Sequence, residues 1–333
     1  MDSLELVAFA RTLVDIDSTT GIESEAGHWL VRELRFRGYE VEAQTVADDR
    51  FNLYAHLGVP PGVVLSTHYD CVPPFITSSV QDGKLYGRGA CDAKGILAAQ
   101  VAAAERLRAA GERRVALLFV VGEERGSDGA ATANRTPPGS AFLINGEPTD
   151  NRLATSTRGV LRVRLSASGR AAHSAAPDQG ESAIEKLLEA LVGLRAIPLP
   201  ADPELGATHY IVGLIEGGVA PNVIPPHASA EVLFRTVGPA EDILAQLSAL
   251  DRLVKTEEVL RVPPVRMHTV PGIASASFPF TTDIPLLDRW GTPLLFGPGS
   301  FLVAHTDHEH VALAELDAAV ETYVRLAKAL LAH

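Results

Sequence analysis

The chain contains very little cysteine: Cys71 and Cys91 are the only two among 333 residues. Two thiols cannot form the disulfide framework of a small secreted domain, so the sequence indicates a reducing compartment, and we expect a cytoplasmic protein. The 46% of hydrophobic and 21% of charged residues are typical of soluble globular proteins. A chain of this length can bury a substantial core without disulfides, and at ~150 residues per domain we expect about two domains.

Basic residues are also scarce, with 29 Lys and Arg against 41 Asp and Glu, which gives a formal net charge of -12. This charge argues against binding to nucleic-acid phosphates and to anionic membrane surfaces. No apolar run approaches the ~20 residues that a membrane-spanning helix needs. The N-terminal stretch, MDSLELVAFARTL, predicts an amphipathic helix rather than a secretion signal. We therefore expect neither a nucleic-acid partner nor a membrane partner.

The first part of the chain alternates between helix and strand patterns. Helical spacing is seen in ESEAGHWLVRELRFRG, and an alanine-rich stretch from about Gly95 to Ala110 predicts a long helix. Strand patterns occur in YEVEAQTV, FNLYAHLG and GVVLSTH, whereas VALLFVV and AFLIN are typical of strands covered on both faces. This alternation predicts an α/β fold with a mostly parallel sheet.

The pattern changes near Thr155, and from there the order is strand, helix, strand, strand, helix, strand. That order is typical of a ferredoxin-like βαββαβ domain. After the breaks in VPPV and VPG, the stretches DIPLLDRWG, TPLLFGPG and ELDAAVETYVRLAKALLAH predict a helix, a strand and a helix that rejoin the first layer. The sequence therefore predicts one discontinuous domain, residues 1–154 and 272–333, into which residues 155–271 are inserted.

Histidines and acids follow several predicted strands of the first domain, and the carboxyl ends of parallel strands meet at one edge of a sheet. These residues are His68, Asp70, Asp92, Glu123, Glu124, Glu147 and His305. Singly, each has an ordinary structural explanation, such as a helix cap for Asp92 or a solvated face for the two adjacent glutamates. Together, so many anionic groups would repel one another unless cations lay among them. Imidazole mixed with carboxylate suits zinc, or manganese and cobalt.

Other catalytic motifs fail on inspection. The stretch GRGACDAKG lacks the third glycine of a dinucleotide-binding loop, and no Gly-Lys-Ser/Thr follows it as in a P-loop. No Gly-x-Ser-x-Gly elbow supports a serine nucleophile. A thiol nucleophile at Cys71 or Cys91 is conceivable, but no separate base accompanies either residue. We interpret both as small packing residues beside the site.

Motifs along nearly the whole chain resemble, in the right order, those of the di-zinc aminoacylase and deacylase family of metallopeptidases. These motifs are STHYDCVP, LYGRGACDAKG, GEERGSDGA, NGEPT, GRAAHSAAPDQGESAI, GGVAPNVIP and GPGSFLVAHTDHEHV. The family includes acetylornithine deacetylase, succinyl-diaminopimelate desuccinylase, carboxypeptidase G and related dipeptidases. The resemblance implies a zinc-peptidase-like catalytic domain with an inserted dimerisation and lid domain, and it says little about the substrate.

The resemblance implies two Zn²⁺ ions, with Co²⁺ or Mn²⁺ as alternatives. The implied ligands are His68, Asp92, Glu124, Glu147 and His305. Asp92 would bridge the two ions, His68 and Glu147 would complete one site, and Glu124 and His305 would complete the other.

Two further acids receive roles from the same resemblance. Glu123 would be the general base, and Asp70 would be the acid that fixes the tautomer of the ligand His68. We therefore expect a catalytic glutamate directly beside a metal-binding one.

Three residues of the inserted domain match family positions: Asn222 and Arg235 match positions that contact substrate, and His173 matches a histidine that acts across subunits. His173 would reach the active site of a neighbouring subunit, which implies a homodimer, although a polar loop residue is the ordinary alternative. Asn222 would contact substrate or simply form a turn before Ile224 and Pro225. Arg235, and less clearly Arg158, would grip a substrate carboxylate, and a solvated strand end is the alternative for Arg235.

The implied function is removal of an acetyl-like acyl group from an N-acyl amino acid of the acetylornithine or acetyl-lysine type, a step of amino-acid biosynthesis. A di- or aminopeptidase on the same di-metal site is the alternative, and a metal-binding protein without turnover is a third hypothesis. Two departures from the family pattern bear on these hypotheses. In HTDHEH, His308 stands where relatives have Asp or Asn, which makes it an alternative to the expected ligand His305. The segment before TTDIPLL is short, which predicts a more open outer wall of the pocket.

Overall fold

The computed structural model describes residues 1–332 and divides them into two compact units. The larger unit comprises Met1–Thr155, Met267–Ala276 and the chain from Thr282 onward. The smaller unit comprises Ser156–Arg266 and Ser277–Thr281. The strand Val265–Arg266, which pairs antiparallel with Ser156 and Thr157, ends the main segment of the smaller unit. The boundaries at residues 155 and 271 stay a prediction. The role of the smaller unit in dimerisation and as a lid stays a prediction.

The larger unit is built on a six-stranded sheet. In spatial order its strands are Glu40–Ala47, Arg50–His56, Val115–Val120, Val63–His68, Phe142–Asn145 and Thr292–Leu295. The first two strands pair antiparallel, whereas the last four run parallel to one another. The predicted α/β class is confirmed. The parallel arrangement places the carboxyl ends of four strands at one sheet edge, where polar residues follow them.

Both faces of this sheet are covered. Val63 and Leu65 pack into one hydrophobic cluster, whereas Val64 between them packs into another with Trp290. This alternation follows from the strand geometry, which points successive side chains to opposite faces. The helices of this unit are Ser3–Val14, Ser24–Phe36, Lys94–Ala109, Asp128–Ala133 and Leu313–Leu331. Among the described residues, no helix combines the length and apolar character needed to cross a bilayer.

The smaller unit has the predicted order of strands and helices. Its four-stranded sheet has the spatial order His209–Gly217, His227–Thr236, Gly159–Ser168 and Lys255–Val262, with every neighbouring pair antiparallel. The helices Ala183–Leu194 and Ala240–Leu247 contribute to one hydrophobic cluster with buried side chains of the two central strands, His227–Thr236 and Gly159–Ser168. The strand His209–Gly217 lies at the edge of this sheet.

Short strands complete the fold. Ser79–Gln81, Lys84–Tyr86 and His310–Ala312 form a three-stranded antiparallel sheet in the larger unit. Ala201–Asp202 pairs with Gly206–Ala207 in the smaller unit. Leu153–Thr157 lies between Val265–Arg266 and Ser275–Phe278, where the chain passes from one unit to the other.

The predicted helix over DIPLLDRWG is wrong. The structure has a single 3-10 turn there, Ile284–Leu286. Pro285 lacks an N–H for a longer helical ladder, and Leu287 and Trp290 are buried in the core instead of lining one helix face. Trp290 donates its indole N–H to the Ala133 carbonyl at 3.2 Å, which holds the irregular segment against the helix Asp128–Ala133.

Candidate metal centre

Three of the parallel strands end close to polar residues of the predicted site. His68 is the last residue of its strand, and Glu147 follows two residues after Phe142–Asn145. Glu123 and Glu124 lie in a 3-10 turn after Val115–Val120. Gly122 precedes this turn with a φ of 76°, a left-handed conformation that glycine adopts at little cost. The chain can therefore turn directly at the sheet edge and present both glutamates there.

Asp92 lies between the two predicted histidine ligands. His68 Nε2 is 3.1 Å from Asp92 Oδ1, and His305 Nε2 is 3.3 Å from Asp92 Oδ2. His305 Nε2 also lies 3.0 Å from the Glu124 carboxylate. Each oxygen of Asp92 thus faces a different imidazole, which is the arrangement that a carboxylate bridging two cations needs.

His305 adopts a left-handed backbone conformation with a φ of 65°. For a residue other than glycine this conformation costs on the order of 1–3 kcal/mol and is concentrated at functional sites. The imidazole it presents is 50% exposed, whereas that of His68 is 1% exposed. The site therefore has one buried histidine and one histidine open to solvent.

Asp70 orients His68 and holds the glutamate turn. His68 Nδ1 lies 3.1 Å from the Asp70 carbonyl oxygen and 3.4 Å from Asp70 Oδ1, so Nδ1 carries a proton toward Asp70 while Nε2 faces Asp92. The backbone N–H groups of Glu123 and Glu124 donate to the same carboxylate at 3.1 and 3.3 Å, and Thr20 Oγ1 donates at 2.8 Å. Burial opposes ionisation, but the bond from His68 and these donors lower the pKa of Asp70.

Glu147 and Glu123 have few hydrogen bonds or positive charges to offset the burial of their carboxylates. Glu147 is buried, and its Oε1 has no hydrogen-bond partner among residues 1–332. Burial raises the pKa of Glu147 well above its ordinary value, and the negative charge of Glu123 adds to the effect. Burial likewise raises the pKa of Glu123, with the charges of Asp283 and Glu124 acting in the same direction. A buried carboxylate oxygen needs a cation or a hydrogen-bond donor to offset its desolvation.

The carboxylates in turn favour positive charge on the imidazoles. Hydrogen bonds to Asp92 and Glu124 raise the pKa of His305 to about 10. Burial disfavours the charged form of His68, yet its bonds to Asp70 and Asp92 raise its pKa well above the ordinary value. Divalent cations would meet the same electrostatic demand without protons.

The donor set fits a metal site. One ligand atom each from His68, Asp92 and Glu124 lies within 4.8 Å of the other two. His305 joins this group through its contacts with Asp92 and Glu124. Imidazole and carboxylate together suit zinc, and also cobalt or manganese. The assignment of each residue to a particular ion stays a prediction.

Sequence reasoning missed two buried acids near this constellation. Burial raises the pKa of the Asp283 carboxyl to about 6, against the effect of a hydrogen bond from Ser127, which lies just after the glutamate turn. Glu309 is buried and accepts a hydrogen bond from the Asp92 N–H at 3.1 Å. Asp283 lies within TTDIPLL and Glu309 within HTDHEH, and these positions are the signal that could have drawn attention to them. His308 itself is exposed, and its side chain bonds no residue that the structure describes.

The smaller unit brings two of its predicted site residues together. His173 forms a bridge with Val223, and the Ser174 N–H donates to the Asn222 carbonyl at 3.0 Å. His173 and Asn222 are both exposed. These backbone contacts place His173 and Asn222 on neighbouring segments at one surface of the smaller unit.

The two predicted arginines differ in whether their guanidinium N–H groups already have hydrogen-bond partners. Arg158 donates to the carbonyl oxygens of Ala207 at 2.8 Å and Leu205 at 2.5 Å, and lies 2.9 Å from His209 Nδ1. Arg235 is half-buried and has no hydrogen-bond or ion-pair partner within the described chain. Burial and the charge of Arg158 lower the pKa of Arg235. Arg235 is therefore the guanidinium with free donors for an anion.

Comparison with known proteins identifies the family. Residues 64–329 match the peptidase family M20/M25/M40. The chain belongs to this family. A probable carboxypeptidase of Aspergillus terreus is 37% identical to this M20 peptidase over 97% of the chain and 86% of its own length.

Solved structures show the same fold. A tripeptidase from Staphylococcus aureus superposes with a TM-score of 0.83 at 20% identity, covering 100% of both chains. The YXEP protein of Bacillus subtilis, described as a dinuclear metal-binding peptidase of the M20 family, gives a TM-score of 0.73 at 15% identity, covering 98% of this chain and 97% of its own. The predicted family and the predicted enzyme class are thus confirmed. The protein is a metal-dependent hydrolase that acts on amide bonds.

Replacing the predicted bridging ligand should empty the centre. We expect Asp92→Asn to lower the metal content from two ions per chain to fewer than one, since one oxygen and the negative charge between the histidines are lost. Elemental analysis of the dialysed protein measures this. Asp251→Asn, at an exposed position of the smaller unit, is the control and should keep both ions. Two ions retained in the Asp92 variant would refute the bridging role.

Proposed function

We propose that this M20 peptidase hydrolyses the amide bond to the amino group of an amino acid that carries a free α-carboxylate. N-acyl amino acids of the acetylornithine type and short peptides both meet this description. The observation that carries the proposal is the placement of the partly buried Glu123 beside the group formed by His68, Asp92, Glu124 and His305.

The metal centre would hold two divalent ions, with zinc as the first choice. Asp92 would be shared, with His68 and Glu147 on one side and Glu124 and His305 on the other. When bound, such ions acidify a water molecule toward neutral pH and polarise the scissile carbonyl. The bond between Asp70 and His68 would keep Nε2 of the imidazole available for ligation.

Glu123 is the proposed general base and acid. Its burial raises the pKa of the carboxyl and so favours proton uptake. The Glu123 carboxylate would take a proton from the attacking water and later give that proton to the nitrogen of the leaving amine. The backbone N–H of Glu123 is held by Asp70 at 3.1 Å, which fixes the turn that carries this side chain.

Substrate recognition is assigned to the smaller unit. The unpartnered guanidinium of Arg235 would bind the α-carboxylate, since a guanidinium matches a carboxylate with two parallel N–H bonds. Asn222 would contact the substrate, and His173, supplied by a second subunit, would stabilise the oxyanion. Arg158 is a weaker candidate for the carboxylate because carbonyl groups occupy its donors.

The choice between acyl amino acids and peptides rests on relatives. The probable carboxypeptidase of Aspergillus terreus supports a peptide substrate with a free C-terminal carboxylate. The motifs resembling acetylornithine deacetylase support an acyl amino acid. A carboxylate-directed amidohydrolase includes both, and a cytoplasmic location is part of this proposal.

A homodimer is the proposed assembly. The edge strand His209–Gly217 exposes apolar side chains, with Ile211 at 59%, Leu214 at 59% and Ile215 at 60%. Exposed apolar edge strands are sites at which a second chain can pair. A second copy on this strand would form an isologous interface and would supply His173 in trans.

Removing the proposed base should abolish turnover while the metals stay bound. We expect Glu123→Gln to lower kcat by about 10²- to 10⁴-fold, since proton transfer is lost, with two ions per chain retained. Steady-state kinetics and elemental analysis of the same sample measure both quantities. Glu321→Gln, which changes an exposed glutamate paired with Arg106, should behave as wild type. Normal turnover in the Glu123 variant would remove the base, and loss of metal would make Glu123 a ligand.

Carboxylate recognition can be tested with matched substrates. Acetylornithine, succinyl-diaminopimelate, dipeptides and tripeptides should be compared with their C-terminal amides, and amine release should be measured. We expect cleavage of free acids only. Arg235→Gln should lower kcat/KM for free acids by about 10- to 100-fold, since a hydrogen bond to a charged group contributes about 1.5–3 kcal/mol.

The control for this comparison is Arg252→Gln, which alters an exposed arginine of the smaller unit paired with Glu189. Its kinetics should match those of the wild type. Equal cleavage of acids and amides by the wild type would contradict the proposed substrate class and would leave the metal chemistry untouched.

A charged residue introduced into the edge strand His209–Gly217 should dissociate the proposed dimer. We expect Leu214→Asp to convert a dimer into a monomer and to abolish activity, since His173 would no longer reach a second site. Light scattering after size exclusion measures the mass. Leu4→Asp, at an 83% exposed position of the larger unit, should remain dimeric and active. An active monomer, in either the wild type or the Leu214 variant, would exclude a role for His173 in trans.

A further inference from the structure

Glu309 connects two segments that carry proposed metal ligands. One is the loop Gly87–Asp92, which ends at Asp92, and the other is the turn from His305 to Glu309. Glu309 and Asp92 are 217 positions apart in the chain. Glu309 is buried and makes no contact with substrate or metal in the roles proposed above.

One carboxylate oxygen of Glu309 accepts several hydrogen bonds from the backbone of the loop that ends at Asp92. Oε1 accepts hydrogen bonds from the N–H groups of Gly89 at 2.9 Å, Cys91 at 3.2 Å and Asp92 at 3.1 Å. Hydrogen bonds from N–H groups to an ionised acceptor are stronger than those between neutral groups. The negative charge of Glu309 therefore holds the loop in the shape that presents the Asp92 side chain.

The other oxygen of Glu309 pairs with Arg88, which spans the same two segments. Arg88 Nη1 donates to Glu309 Oε2 at 2.6 Å and to the Thr306 carbonyl at 3.3 Å. Arg88 Nε donates to the Pro74 carbonyl at 3.3 Å, in the segment that follows His68 and Asp70. Both members of this ion pair are buried, so neither charge is tolerated without the other.

The packing of the loop leaves little freedom for other shapes. A Cβ added at Gly89 would lie 2.6 Å from Cys71 Sγ, and the φ of Gly89 is 85°. The Gly87 N–H also donates to the Glu309 carbonyl at 3.2 Å. The loop is thus bound to Glu309 through both its side chain and its backbone.

We propose that Glu309 is a positioning residue that sets the spacing between Asp92 and His305, so that both can bind one metal ion. The proposal rests on the ligand assignment made under the proposed function. Without the Glu309 carboxylate, the three N–H groups of the loop would lose their common acceptor and Arg88 its counter-charge. Asp92 Oδ2 and His305 Nε2 would then no longer be held at their present distance of 3.3 Å.

The test is cobalt binding by the full-length, metal-free protein. Glu309→Gln keeps the size of the side chain but places an amide group against Arg88. We expect its affinity for at least one Co²⁺ ion to fall about 10- to 100-fold, as for other residues that orient metal ligands. Competition with a chromophoric chelator measures the affinity, and the visible spectrum of the bound Co²⁺ should change because the ligand geometry changes.

A matched control separates positioning from general stability. Glu23 is buried and pairs with Arg50 at 2.7 and 2.8 Å, and these bonds contact neither ligand segment. Glu23→Gln should lower the melting temperature of the metal-free protein as Glu309→Gln does, but it should leave the Co²⁺ affinity within about twofold of wild type. If Glu309→Gln does not fold, Glu309→Asp replaces it. That variant keeps the charge and is one methylene too short to reach both partners.

The outcomes distinguish the two levels of the proposal. Co²⁺ affinity and spectrum equal to wild type in the folded Glu309 variant would overturn the positioning role and leave the proposed function standing. A wild-type chain that binds fewer than two Co²⁺ ions would instead refute the di-metal centre itself. A parallel loss of affinity in the Glu23 variant would reduce Glu309 to a stability residue.

Discussion

The structure depends on the electrostatic cost of placing several carboxylates at one edge of a buried sheet. Asp92, Glu123, Glu124 and Glu147 lie there with only two imidazoles, His68 and His305, as nearby positive groups of the constellation. Burial raises the pKa of three of these four acids, while the bonds from the histidines lower that of Asp92. A pair of divalent cations, as in the proposed centre, would resolve this conflict, and membership of the M20 peptidase family is in accord with it.

The same structural device appears twice around the centre. Asp70 accepts the backbone N–H groups of Glu123 and Glu124, and Glu309 accepts those of Gly89, Cys91 and Asp92. In both cases a buried carboxylate that is not itself a proposed ligand holds the backbone of a segment that carries ligands. A fixed backbone needs no reorganisation when a cation or a transition state appears, and this is the basis of electrostatic preorganisation.

The two units carry different parts of the proposed chemistry. The larger unit contains every proposed metal ligand together with Glu123, on strands and loops tied by long-range hydrogen bonds. The smaller unit contains His173, Asn222, Arg158 and Arg235, and its edge strand exposes apolar side chains. The proposed function therefore places metal-dependent amide hydrolysis in the larger unit, and substrate choice and assembly in the smaller one.

Much of this protein is determined by local sequence. The apolar runs predict the strands, and the residues that follow them, such as His68 and Glu123, are adjacent in sequence to a strand whose end must lie at the sheet edge. The order of elements from residue 155 likewise predicts the βαββαβ arrangement. Local patterns suffice here because periodicity and adjacency are properties of neighbouring residues.

The tertiary structure alone decided the contacts between distant segments. The bonds of Glu309 to the Asp92 loop join residues up to 221 positions apart, and no local pattern encodes them. Arg158 has its donors occupied and Arg235 has free donors, because the carbonyl groups of Ala207 and Leu205 lie beside Arg158 in the folded chain. The 3-10 turn at Ile284–Leu286 replaces a predicted helix because burial of Trp290 outweighs local spacing. The residue types and the ends of the strands can thus be predicted from the sequence. The hydrogen-bond partners of each side chain and the distances between them are set only when the chain packs.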